Sequence, residues 1–74
     1  MSMVNKKITK KLGKTIQKLR KQAGYESQEV FAEALGLSRT HVGHIEQGRR
    51  NPSMEVLVKI AKKLKVDVSE LFKL

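Results

Sequence analysis

The sequence predicts an all-α domain, five short helices packed into one compact bundle. Three observations carry this. Gly24, Gly36, Gly48 and the stretch Asn51-Pro52-Ser53 cut the chain into segments of helical length. Within those segments apolar residues return every three or four positions. No segment alternates apolar and polar residues with β-branched enrichment, so no strand is expected. The 74 residues suit one domain, and a core this small needs well-packed helices or a partner.

The first helix follows from Ile8, Leu12, Ile16, Leu19 and Ala23, one apolar stripe with lysines over the other faces. Gly24 suits its C-terminal cap. Gly13 interrupts the pattern at a cost of up to about 1 kcal/mol against alanine. Ser27 caps a second helix, "QEVFAEAL", with glutamates early in it and Phe31, Ala32 and Leu35 inward. Gly36 ends it. Ser38 caps the third, "RTHVGHIEQ", with Val42 and Ile45 inward and Gly48 as its stop. Ser53 caps the fourth, where Met54, Leu57, Ile60, Ala61 and Leu64 keep helical spacing. "DVSELFKL" then reads as a short fifth helix capped near Asp67 or Ser69. Residues 1–7 are expected to form a basic N-terminal arm and residues 8–74 the folded domain.

Composition excludes several functions. The chain has no cysteine, so disulfides and thiolate metal sites are out. No apolar run approaches the ~20 residues of a membrane span, and no signal peptide is visible, so a cytoplasmic location is expected. Sixteen Lys+Arg against seven Asp+Glu leave a net charge of +9. The excess is uneven: residues 1–24 hold eight basic residues and no acid, whereas residues 25–37 hold Glu26, Glu29 and Glu33 and no base. Such a field on a small domain favours a polyanion, nucleic acid first and an anionic membrane second.

Only "GLS" joins the second and third predicted helices, which forces a tight corner. Counted from Gln28, small Ala32 stands fifth and Gly36 ninth. Apolar Phe31, Leu35, Leu37, Val42 and Ile45 stand fourth, eighth, tenth, fifteenth and eighteenth. This is the residue pattern of a helix-turn-helix. Opposite Val42 and Ile45 lie Arg39, Thr40, Gly43 and His44, a face suited to a DNA major groove. Arginine can bond guanine bidentately, the threonine methyl can touch a thymine methyl, and glycine permits close approach. After Gly48, Arg49, Arg50 and Asn51 offer donors to phosphate, which positions without specifying sequence. The alternative for the two arginines is a charged, solvated turn.

The run "SQEVFAEALGLSRTHVGHIEQGRRNPSMEVLVKIAKKLKVDVSELF" resembles the small phage-repressor and Cro-like helix-turn-helix family, with its lambda-repressor-like domain. Within it, "SRTHVGHIEQGRRNPS" is most similar to the restriction–modification controller proteins. The resemblance covers about residues 8–72. It implies a dimeric, autoregulating transcription regulator that binds a pseudo-palindromic operator. Residue by residue, it implies phosphate contacts from Gln28, Ser38 and His41 beside Arg49, Arg50 and Asn51, and base contacts from Arg39, Thr40 and His44. It also implies that Glu46 pairs inward with Arg20. The chain departs from the family in two places. One extra residue stands between Gly24 and Gln28, and His41 replaces a frequent aromatic residue.

Val66, Val68, Leu71, Phe72 and Leu74 crowd the last nine residues. Some must close the core; the rest would form a patch that a second copy covers, so an isologous homodimer is expected there. No cofactor, metal or small-molecule effector is expected; His41 and His44 lack a third ligand. An enzyme is not expected, because no base–nucleophile–orienter set is suggested. RNA polymerase is a candidate second partner through Glu26, Glu29 and Glu33, which otherwise only complement a helix dipole. The lysines of residues 6–14 are either a solvated face or an aid to the DNA backbone. A phage or plasmid Cro-like repressor, or an antitoxin acting mainly by protein interaction, are the competing assignments.

Overall fold

The computed structural model describes residues 6–73. Four α-helices follow one another: α1 (Lys6–Gln22), α2 (Gln28–Leu35), α3 (Arg39–Glu46) and α4 (Met54–Leu64). No strand occurs among the described residues. The expected fifth α-helix is instead a 3₁₀ helix, Val68–Phe72. It is five residues long, and short pieces of this length commonly close i→i+3 rather than i→i+4 hydrogen bonds. Asp67 caps it, with its carboxylate accepting from the Ser69 N–H at 2.9 Å. α1 begins at Lys6, inside the segment expected to be an arm; residues 1–5 lie outside the described residues.

The helix boundaries are written in side chains at one end and backbone at the other. Ser27, Ser38 and Ser53 each accept the N–H three residues on, at 3.1, 3.0 and 3.2 Å, which satisfies one orphan donor per helix. All four α-helices end the same way. Within two residues of the helix end one residue turns left-handed, and the next N–H reaches back five positions: Tyr25 to Arg20, Leu37 to Ala32, Arg49 to His44 and Val66 to Ala61. In three of these Schellman motifs the left-handed residue is glycine. In the fourth it is Lys65, at φ 59°.

Every element contributes to one core: Leu12 and Ile16; Phe31, Ala32 and Leu35; Val42 and Ile45; Leu57, Ile60, Ala61 and Leu64; and Leu71. α2 packs on α3, α3 on α1, and α4 on α2, while the 3₁₀ helix closes the base against α1 and α4. Two expectations need correction. Ile8 is exposed and Thr9 is buried in its place. The buried stripe of α1 runs through Thr9, Leu12, Ile16 and Arg20, so it is rotated from the purely apolar reading, and Ala23 falls outside it. Leu71 is wholly buried within the single chain, so it is a core residue and cannot serve as a dimer contact.

Gly13 explains its own presence. A Cβ there would lie 2.5 Å from the carbonyl oxygens of both Ile45 and Glu46. The end of α3 therefore rests on the bare backbone of α1. The helix propensity lost at Gly13 is offset by an approach that no other residue permits.

Candidate nucleic-acid interface

The side of α3 turned away from the core carries Arg39, Thr40, Gly43, His44 and Gln47, all within one helical face. With Gln28 and Arg49 they line a shallow concavity of about 290 Å³. Arg39 and Thr40 are exposed at the capped start of the helix; His44 is half-buried. Gly43 is buried, because the Gln28 side chain lies across it: a Cβ at this position would meet Gln28 Oε1 at 3.2 Å. Gly43 thus makes room for Gln28 as well as for any approaching surface.

The position of this face is set by a buried polar network. Arg20 Nε donates to Glu46 Oε2 at 2.7 Å, and its second amine contacts Glu46 Oε1 at 3.4 Å. The third guanidinium nitrogen donates to the Tyr25 carbonyl at 2.7 Å. Gln28 Nε2 completes the set by donating to Glu46 Oε1 at 2.9 Å. The paired side chains are 3% and 1% exposed, so neither charge can turn to water for solvation. α1, the loop before α2, the start of α2 and the end of α3 are thereby locked together. The segment between Gly24 and Gln28 is held in that lock: Tyr25 gives its carbonyl to Arg20 and tilts its ring against Phe31, 5.1 Å between centroids.

The phosphate candidates are less uniform. Gln28 has its side-chain amide committed to Glu46, leaving its backbone N–H at the start of α2 for an incoming anion. Ser38 uses its oxygen to cap α3, and its hydroxyl proton is still available to donate. His41 is half-buried and stands outside the concavity, towards the core side of the helix. The Arg49 and Arg50 backbone N–H groups are held by the His44 carbonyl at 2.9 and 3.3 Å, which leaves their exposed side chains as donors. Asn51 is exposed on the loop that follows. Among the described residues no group of three metal-ligating side chains occurs.

Gln47 was not singled out from the sequence. It caps α3 and is exposed beside Thr40 and His44. Extending the 40, 43, 44 spacing by one further turn would have found it. Of the residues expected at a dimer contact, Val66 and Val68 are half-buried against the core, Phe72 is 44% exposed, and Leu74 lies outside the described residues.

Comparison with known proteins agrees with this geometry. The model of a helix-turn-helix family matches residues 16–71. Control protein C.MunI from Mycoplasma sp. is 44% identical over 62 residues, covering 84% of each protein. The ImmF control region 10 kDa protein of Bacillus phage phi105 is 42% identical over 62 residues, covering 84% of this chain and 68% of that one. The solved restriction–modification controller protein C.AhdI from Aeromonas hydrophila superposes with a TM-score of 0.81 at 39% identity, covering 86% of this chain and 96% of its own. No helix among the described residues is long and apolar enough to cross a membrane. With the family match spanning α1 to the 3₁₀ helix and the α2–α3 corner at its centre, this chain belongs to the helix-turn-helix family.

Proposed function

We propose that this chain is a sequence-specific DNA-binding transcription regulator of the restriction–modification controller type, acting as a homodimer on a pseudo-palindromic operator and regulating its own gene. The observation that carries the reading is the outward face of α3. Arg39, Thr40, His44 and Gln47 sit together beside Arg49 on a helix whose far end is clamped by Arg20, Glu46 and Gln28. An eight-residue helix held this firmly can present two or three side chains to base edges in a fixed register. Arg39 is the guanine reader, and Thr40 and His44 sort the neighbouring bases. Ser38, Arg49, Arg50 and Asn51 hold phosphates on either side.

The chain is proposed to be non-catalytic, to take no effector and to be controlled through its own concentration. A second copy is proposed to dock over Phe72, with Val66 and Val68 beside it. RNA polymerase contact through Glu26, Glu29 and Glu33 would make the regulator an activator. The similarity to the ImmF control region 10 kDa protein of a Bacillus phage favours one rival, a phage-type repressor, which would use the same surface on a different operator.

Selection of bound duplexes from a randomised library tests the reading. The expected product is a palindrome with half-sites about one helical turn, ~34 Å, apart. Arg39→Ala should weaken binding to the selected site by about 1–3 kcal/mol and relax preference at one base pair of each half-site. A location upstream of an endonuclease gene favours the controller over the phage reading. No enriched motif, with binding that disappears uniformly as salt rises, would overturn sequence-specific regulation.

A further inference from the structure

A second basic surface joins the interface from outside the helix-turn-helix. Lys10 and Lys14 are exposed on α1, one turn before Gly13 and directly after it. Gly13 brings the carbonyl oxygens of Ile45 and Glu46 onto the α1 backbone, and Gly48 does the same from the following loop. A Cβ on Gly48 would lie 2.7 Å from Lys10 Cα. These two close approaches place the α1 lysines beside the end of α3. There Lys10, Lys14, Gln17, Gln28, Glu46 and Gln47 line a concavity of about 420 Å³. Gln28 and Gln47 also line the concavity over the face of α3, so the two hollows share one ridge. The carboxylate in the second hollow does not repel an anion as a free charge would, because Glu46 is paired with Arg20 and bonded by Gln28.

We propose that Lys10 and Lys14 grip two phosphates of the bound duplex beyond the end of α3, carrying the footprint onto α1. This rests on the DNA-binding reading above and adds to it a class of contact: sequence-independent, electrostatic, and supplied by a helix outside the α2–α3 corner. It gives part of the +9 charge a located task. The lysines of α4 supply the contrast. Lys59, Lys62 and Lys63 surround a different hollow, floored by Leu35 and bordered by Tyr25, which shares no residue with the first two.

The test compares two double variants of equal charge, Lys10→Gln/Lys14→Gln and Lys62→Gln/Lys63→Gln, on the selected operator and on a random duplex across a salt series. Both pairs are exposed, and glutamine keeps the Lys10 stem against Gly48; an unchanged melting curve confirms that each variant folds. The expected result for the α1 pair is a salt slope shallower by roughly 2 per bound chain, at about 0.9 per phosphate contact, with unaltered base preference. Affinity should fall about tenfold at ~0.15 M salt, alike on both duplexes. The α4 pair should change the slope by less than half as much. Equal effects from the two pairs would mean net charge alone is responsible and would overturn the assignment. An unchanged slope in the α1 variant, with specific binding intact, would overturn it while leaving the regulator reading standing. A wild-type chain that binds no duplex would overturn both.

Discussion

The two ends of the bundle are held by different forces. The end of α3 is fixed by Arg20, Glu46 and Gln28 and by carbonyl oxygens seated on Gly13. The end formed by α4 and the 3₁₀ helix is fixed by apolar burial: Leu57, Ile60, Ala61, Leu64 and Leu71. Apolar burial is non-directional and tolerates small sliding. A bidentate charged contact and a backbone-to-backbone approach do not. Directional contacts are concentrated at the end of α3, and non-directional apolar burial at the end formed by α4 and the 3₁₀ helix.

The comparison breaks first at the ion pair. Removing one partner strands a buried charge, so Glu46→Ala should destabilise the chain by about 3–5 kcal/mol. For a domain this small that is a melting temperature lower by tens of degrees, at about 4–8 °C per kcal/mol. The double variant Arg20→Met/Glu46→Leu should recover most of that loss while binding DNA more weakly, because the clamp is gone though the core is full. Thermal unfolding followed by circular dichroism, with duplex binding beside it, checks both halves. Full recovery of binding would mean that the pair does not orient α3.

At the apolar end, Leu71→Ala should cost about 2–5 kcal/mol through lost burial and the cavity it leaves. Phe72→Asp, one residue on, should leave the monomer's stability nearly unchanged, since that side chain is largely outside the core, and should shift sedimentation towards monomer. A dimer that persists in Phe72→Asp at micromolar concentration would sink the proposed contact. Gly13→Ala comes next in size. In an ordinary helix it stabilises by up to about 1 kcal/mol; here the added Cβ meets two carbonyl oxygens and should destabilise by about 1–3 kcal/mol. The smallest effect belongs to Lys65→Gly, which should stabilise by up to about 1 kcal/mol by relieving a left-handed side chain. Chemical unfolding resolves that gain, and a loss of stability would mean that Lys65 contributes contacts beyond its backbone role.

Much of this was legible because the helix ends are punctuated by residue type. Ser27, Ser38 and Ser53 mark starts and Gly24, Gly36 and Gly48 mark stops, each for a reason visible in one or two residues. The end of α4 carries no such mark, since Lys65 adopts by context a conformation that its side chain disfavours. The 3₁₀ helix misled for a related reason: an apolar cluster gives no phase over five residues, so nothing separated Leu71, inside, from Phe72, outside. The α1 stripe was rotated because Thr9 and Arg20 are buried polar residues, which an apolar pattern does not count. Arg20 and Glu46 stand 26 positions apart, and only the family resemblance joined them in advance. On the α3 face, Arg39, Thr40 and His44 follow from helical spacing. The cover that Gln28 lays over Gly43 does not, because it depends on where two helices cross.

Arg39 and Thr40 are exposed and contribute nothing to the packing that holds α3 in place; Val42, Ile45 and Glu46 do that. Exposed substitutions of this kind usually shift stability by less than about 0.5 kcal/mol. If Arg39 and Thr40 read bases as proposed, the chain could therefore change its target without first acquiring a surplus of stability. A lineage carrying this scaffold could drift from one target to another through single exchanges at two or three sites, each intermediate still folded. The same clamp that makes α3 rigid makes its outer face evolutionarily cheap to rewrite.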